Sequence, residues 1–171
     1  MQRPLSILLL GALLCACTRE KPLPASLQGE LSVKLSEERK SANGVKAQTV
    51  FQSALEKALT ARGLTVKPGA PNAVTGKVTL SDESVKDSKI GGPMAFFFVE
   101  GAYDVKLQDE TGKEIGHFQS GLDVHALNEK ALPSAHISYD DTVRAIAEDA
   151  APKLAEQIAR KLFEAGRVAA R

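Results

Sequence analysis

From Val99 to Leu107 the chain reads Val99-Glu100-Gly101-Ala102-Tyr103-Asp104-Val105-Lys106-Leu107. Val99, Tyr103, Val105 and Leu107 fall on one side of a two-residue repeat, with Glu100, Asp104 and Lys106 on the other. That is the pattern of a strand with one face in a core and one in water. Asp109-Glu110-Thr111-Gly112 follows. It reads as a hairpin turn, with Gly112 suited to a positive φ. Beyond it Phe118, Leu122, Val124 and Ala126 alternate again, so an antiparallel partner returns alongside the first strand.

The pattern extends outward in both directions. Leu31, Val33 and Leu35 alternate with Ser32, Lys34 and Ser36, predicting a strand near the start of the domain. Residues 44–62 carry a helical stripe of Ala47, Phe51, Ala54, Leu55, Ala58 and Leu59, while Gln52, Glu56 and Lys57 face water. Gly63 supplies the left-handed stop that helices favour. Leu64-Thr65-Val66 predicts a short strand, and Val74, Val78 and Leu80 begin another. Residues 81–93 are polar and end in Gly91-Gly92-Pro93, which reads as a loop. After a second loop Ser138 caps a helix, with Asp141 at the capping-box position. Its apolar stripe is Val143, Ile146, Ala150, Leu154, Ile158 and Leu162, and Pro152 is expected to bend it. The order β-α-β-β-β-β-α, with one apolar side per element, predicts an α+β fold of two layers. An antiparallel-rich sheet of four to five strands carries both helices on one face.

The N-terminus carries a different message. Arg3 precedes an uncharged apolar run from Leu5 to Leu14, followed by Cys15-Ala16-Cys17. A basic start, a short hydrophobic stretch and a small residue at the cleavage point make a secretory signal. The run is about half the 20 apolar residues a spanning helix needs. With an apolar residue three before it and Ala16 directly before it, Cys17 resembles the lipidated first residue of bacterial lipoproteins. An ordinary soluble signal peptide is the rival reading. Thr18, where that family places Asp for inner-membrane retention, points to the outer membrane.

The expected boundaries are residues 1–16 as signal, 17–29 as lipidated cysteine and flexible tether, 30–165 as one α+β domain and 166–171 as a frayed tail. Removing the signal leaves 21 basic against 21 acidic residues, since Arg3 is the one charge it carries among 22 and 21. Such a balance gives no field for nucleic acid or for an anionic membrane surface. Trp is absent and aromatics are 5% of the chain, which argues against a stacking platform for bases or sugars.

Catalytic signals are thin. His117 and His125 lie eight residues apart on one predicted strand, roughly 26 Å, too far to share a metal. His136, in the loop before the last helix, could approach His125 with Asp123 or Asp140 nearby, an arrangement suited to zinc or general-base chemistry. No metal-binding His spacing supports it, and solvent-exposed histidines are the simpler reading. Ser134 and Ser138 lack a nucleophile elbow. Asp140-Asp141 suit a helix start without further chemistry. Gly91-Gly92-Pro93 lacks the lysine of a phosphate loop. The segment Pro93-Met94-Ala95-Phe96-Phe97-Phe98 is harder to set aside. Phe96 and Phe98 fall on the strand face opposite Tyr103 and Val105. They either cover a sheet edge or form, with Met94, an exposed apolar patch for a partner or an acyl chain.

The stretch Phe51 to Val66, a helix ending in Ala61-Arg62-Gly63 and then a short strand, is similar to the YajG-like outer-membrane lipoproteins. The lipopolysaccharide-assembly subunit LptE and the LpoB-type activators of penicillin-binding proteins read similarly. The resemblance implies a periplasm-facing, lipid-anchored, non-catalytic accessory or binding component of the envelope, and it brings no catalytic residues with it. The expected contacts are the membrane, through Cys17, and an envelope protein. No cofactor, metal or nucleic acid is expected. A lipid- or lipopolysaccharide-binding subunit using residues 94–98 is the alternative, and a small hydrolase or metal protein using His125 and His136 a weaker one.

Overall fold

The computed structural model describes residues 22–37, 46–85, 96–122 and 139–171; for 80–85, 96–101, 122 and 139–142 it describes the backbone alone. In chain order the elements are β1 (Leu27–Gln28), β2 (Glu30–Glu37), α1 (Ala47–Ala61), β3 (Thr65–Val66), β4 (Asn72–Val85), β5 (Phe96–Gln108), β6 (Glu114–Leu122), α2 (Tyr139–Glu164) and β7 (Ala169–Ala170). Five strands form one mixed sheet in the order β3-β2-β4-β5-β6, and β1 pairs with β7. The expected α+β order is present, with two short strands added.

The apolar residues of the alternating strands meet the apolar stripes of the helices. Leu31, Leu35, Val74, Val78, Tyr103, Val105, Leu107 and Phe118 are buried together with Phe51, Leu55 and Leu59 of α1 and Val143, Ile146, Leu154, Ile158 and Leu162 of α2. α1 lies over β2 and β4, α2 over β5 and β6, and the two helices lie against each other. The rings of Phe51 and Tyr103 join the layers at 5.9 Å with a 39° tilt, a geometry aromatic pairs favour. Gly63 ends α1 at φ +89°; a β-carbon there would also stand 2.4 Å from the Leu27 carbonyl oxygen. The stop is therefore both conformational and steric.

The sheet is less uniformly antiparallel than the alternation suggests. β4, β5 and β6 form an antiparallel meander, but β2 runs parallel to both its neighbours, β3 and β4. The α1 crossover produces this, because a helix between adjacent strands returns the chain in the same direction.

Beyond its pairing with β3 at Glu30 and Leu31, β2 has an open edge, and α1 closes it. Gln52 accepts from the Leu35 N–H through Oε1 at 3.2 Å and donates to the Val33 carbonyl through Nε2 at 3.3 Å. Gln48 donates to the Leu35 carbonyl at 2.7 Å. Two side-chain amides thus stand where the backbone of another strand would be. Gln52 and Glu56 were expected to face water; both are half-buried, because the Gln52 amide that serves the strand edge must lie against it and also donates to Glu56 Oε1 at 2.8 Å.

Three further expectations are corrected. Residues 81–85, read as loop, extend β4: Ser81 to Val85 pair with Glu100 to Phe96 in unbroken register. A polar composition hid a strand whose backbone bonds are satisfied by its neighbour. The tether was placed at 17–29, yet Leu27 is fully buried and Leu23 packs on the core. The tail 166–171, expected to fray, is folded. Gly166 turns the chain at φ +68°, Val168 is buried, and Ala169 and Ala170 pair with Gln28 and Leu27. A pairing this short carries no periodic signal, so the sequence pattern could not show it.

Candidate functional site

With the helices on one face, the opposite face of the sheet meets solvent. Cross-strand register gathers its polar residues: Lys77 lies opposite Asp104, Asp104 opposite Gln119, and Lys106 opposite His117. Asp104 is the hub. Its Oδ1 lies 2.7 Å from Nε2 of His117, and its Oδ2 accepts from Nε2 of Gln119 at 2.9 Å. The hydrogen bond from His117, then that from Gln119, holds the Asp104 carboxyl below its ordinary value. On the other side of the ring, Nδ1 of His117 is 4.0 Å from Glu114 Oε1, and Lys106 pairs with Glu114 at 3.0 Å. Above Asp104 a shallow groove of about 510 Å³ is lined by Lys77, Thr79, Ala102, Tyr103, Gln119 and Ser120.

A His-Asp pair invites comparison with a catalytic dyad, and its surroundings differ from one. The hydroxyl of Ser120, three residues along β6, donates to the Gly121 carbonyl oxygen at 2.8 Å and makes no bond to His117. The Asp104 and His117 side chains are 52% and 37% exposed, so water screens the pair. Electrostatic catalysis needs a site from which water is excluded. The arrangement is a polar ladder across three strands, a form of cross-strand pairing that stabilises a solvated sheet face.

The residues singled out from sequence are distributed unevenly. Cys17, Met94, His125 and His136 lie outside the described residues. So do Asp123, Ser134 and Ser138, the proposed helix cap among them. Phe96 and Phe98 belong to β5, but their side chains lie outside the description. Their backbone position is informative. β2 pairs with β4 no further than Val78, and β6 with β5 no further than Gly101. From Ser81 to Val85, against Glu100 to Phe96, β4 and β5 pair with each other alone among the described residues. At about 3.3 Å per residue this ribbon is roughly 16 Å long, and Phe96, Phe97 and Phe98 stand at its far end. The continuation of β4 that makes the ribbon was hidden by the polar run Ser81-Asp82-Glu83-Ser84.

Among the described residues no group of three His, Cys, Asp or Glu side chains could hold a metal ion. No described helix is long and apolar enough to cross a membrane.

No family model matches the chain, and no curated protein matches it. Solved structures do. Protein XCC0632 from Xanthomonas campestris, described as DUF330, superposes with a TM-score of 0.54 at 9% identity, over 84% of this chain and 90% of that one. At that identity the likeness is one of fold alone. A minor lipoprotein from Acinetobacter baumannii gives a TM-score of 0.43 at 15% identity, over 81% of this chain and 94% of the other. The rare lipoprotein B from Shewanella oneidensis gives 0.42 at 12%, over 81% and 96%.

Proposed function

We propose that this chain is a lipid-anchored lipoprotein of the bacterial outer membrane, facing the periplasm and serving as a non-catalytic binding component of the envelope. One observation carries the reading: Leu14-Cys15-Ala16-Cys17 closing an uncharged apolar run behind Arg3. The YajG-like resemblance belongs with it. The fold is compatible with such a role, since the described polar residues form a solvated ladder. Cys17→Ser should abolish incorporation of labelled palmitate and release the protein from the membrane fraction. Unchanged labelling and fractionation would overturn the anchor. Separation of inner and outer membranes on a density gradient tests the placement that Thr18 suggests.

The β4–β5 ribbon favours a second, more specific reading, in which residues 94–98 contact an envelope partner or a lipid. A two-stranded ribbon on its own is marginally stable in water; this one has no third strand among the described residues, and it ends in three consecutive phenylalanines. Contact with an apolar surface would stabilise it. Phe96→Ser with Phe98→Ser should leave membrane retention intact while removing site-specific photo-cross-links from position 94. Cross-links that persist in that variant would refute this contact.

A further inference from the structure

The chain enters the domain at one end of the sheet, and the β4–β5 ribbon leaves it at the other. Leu23 packs on the core, six residues after Cys17. Leu27 follows, with its N–H on the carbonyl oxygen of Arg62 just past α1, and β1 pairs with β7 just past α2. Both helices therefore end where the N-terminal segment docks. β2 starts there at Glu30, and Leu31 lies opposite Asn72, so β4 starts there too and runs in the same sense. Gln108 lies opposite Ala73, which puts the β5–β6 turn at this end as well. The 14 residues of β4 then run from Asn72 to Val85, roughly 45 Å at about 3.3 Å per residue. Phe96, Phe97 and Phe98 pair with Val85, Ser84 and Glu83. They stand at the described end of the sheet farthest from the point of entry.

That separation bears on what the ribbon touches. A domain standing on its entry end holds residues 96–98 well clear of the bilayer around Cys17. A domain lying flat would bring them down to it, resting on its sheet face or on its helices. The sheet face presents Asp104, Lys106, Glu114 and His117, and the helices present Arg144, Glu148, Asp149 and Lys153, all exposed. Each set mixes both signs, so a headgroup surface gains no net attraction from either. We propose that the ribbon points away from the bilayer that holds Cys17, and that residues 96–98 meet an apolar surface on a protein approaching from the periplasmic side. This rests on the lipid anchor and on the ribbon contact proposed above, and it selects protein over the acyl chains of the anchoring leaflet as the occupant.

Energy transfer to the membrane tests the orientation. Beyond the signal, Cys17 is the only cysteine of the chain, so one engineered thiol takes a dye at a chosen place. Lys113→Cys marks the exposed turn at the entry end, and Ser84→Cys marks the ribbon. Circular dichroism should show both variants folded. The full-length lipidated protein is placed in phosphatidylethanolamine–phosphatidylglycerol vesicles that carry a headgroup-linked acceptor dye. Flotation with the vesicles reports the anchor by itself; protein left behind would overturn the anchor and the orientation together. In floated protein, transfer from position 113 should exceed that from position 84 at least threefold. Equal transfer, or more from 84, would overturn the orientation with the anchor intact. In intact cells, a photo-cross-linking amino acid in place of Phe98 should give a protein adduct that Phe96→Ser reduces at least fivefold. A lipid adduct there, no adduct, or one that Phe96→Ser leaves unchanged would overturn the protein occupant.

Discussion

Arg167 reaches back from beyond the end of α2 to Asp109, in the turn between β5 and β6, and places Nη2 2.9 Å from its Oδ2. Its Nη1 is 3.0 Å from Glu110 Oε1. The same Asp109 uses Oδ1 to accept from the N–H and hydroxyl of Thr111 and the N–H of Lys113. One carboxylate therefore closes the hairpin turn and fastens the segment that leads into β7.

Acid should loosen this junction. The Thr111 hydrogen bond, helped by the Thr111 and Lys113 N–H groups and by Arg167, holds the Asp109 carboxyl below its ordinary value. The stability it supplies is fully present above the ordinary aspartate value of about 3.9 and is lost as pH falls through the lower folded value. Asp104, lowered by His117 and Gln119, adds to the loss in the same window. Thermal unfolding followed from pH 6 downward should therefore show Tm falling below about pH 4. Asp109→Asn should be less stable at pH 6 and show a shallower fall. An unchanged slope would refute the assignment.

Leu27 is fully buried, and its N–H bonds the Arg62 carbonyl oxygen at 2.8 Å. Leu27→Ala should cost about 2–4 kcal/mol in denaturant unfolding, the usual result of emptying a core leucine site. A residue in a free tether would show no change.

Gln48 and Gln52 keep the β2 edge from other strands. Gln52→Leu removes a donor and an acceptor at once and leaves Leu35 N–H and Val33 C=O half-buried without their partners. A loss of about 1–2 kcal/mol is expected. Combined with Gln48→Leu, it should also raise thioflavin-positive aggregation, since exposed strand edges template further pairing. Unaltered stability in Gln52→Leu would show that the amides are incidental.

Gly76 sits in β4 opposite Val105, where an added β-carbon would lie 2.2 Å from the Asp104 carbonyl oxygen and 2.7 Å from Val105 Cα. Both are backbone atoms in a central pair of strands, which cannot rotate away. Gly76→Ala should destabilise by about 1–3 kcal/mol, in the range of other overpacking substitutions, with shifted amide resonances along β5. Neutral behaviour would mean that the two strands can separate locally.

These predictions also mark where sequence reading succeeds and fails. Every apolar position assigned to α2, from Val143 to Leu162, is buried, because a helix face is written in residue type at a fixed period. Gly63 was legible for a similar reason, since only its backbone freedom suits that φ. Hidden were features carried by backbone bonding across long separations: the parallel placement of β2, the extension of β4 through Asp82 and Glu83, and the β1–β7 pair. Gln52 belongs with them, because a glutamine that caps a strand edge has the same spacing as one in water.

The pairing of β1 with β7 has a mechanical consequence. If Cys17 is held in a bilayer, any tension between membrane and domain enters the fold at Leu23 and Leu27. It is carried by the bond from Leu27 to Arg62 and that from the Arg171 N–H to the Ser26 carbonyl, at 3.1 Å. Only Thr18 to Lys21 and Pro22 then separate the lipid from residues held by the core, a leash of roughly 17 Å at full extension. Such a leash sets the domain against the headgroups and limits the volume it can sweep, so anything it binds must come to the membrane surface.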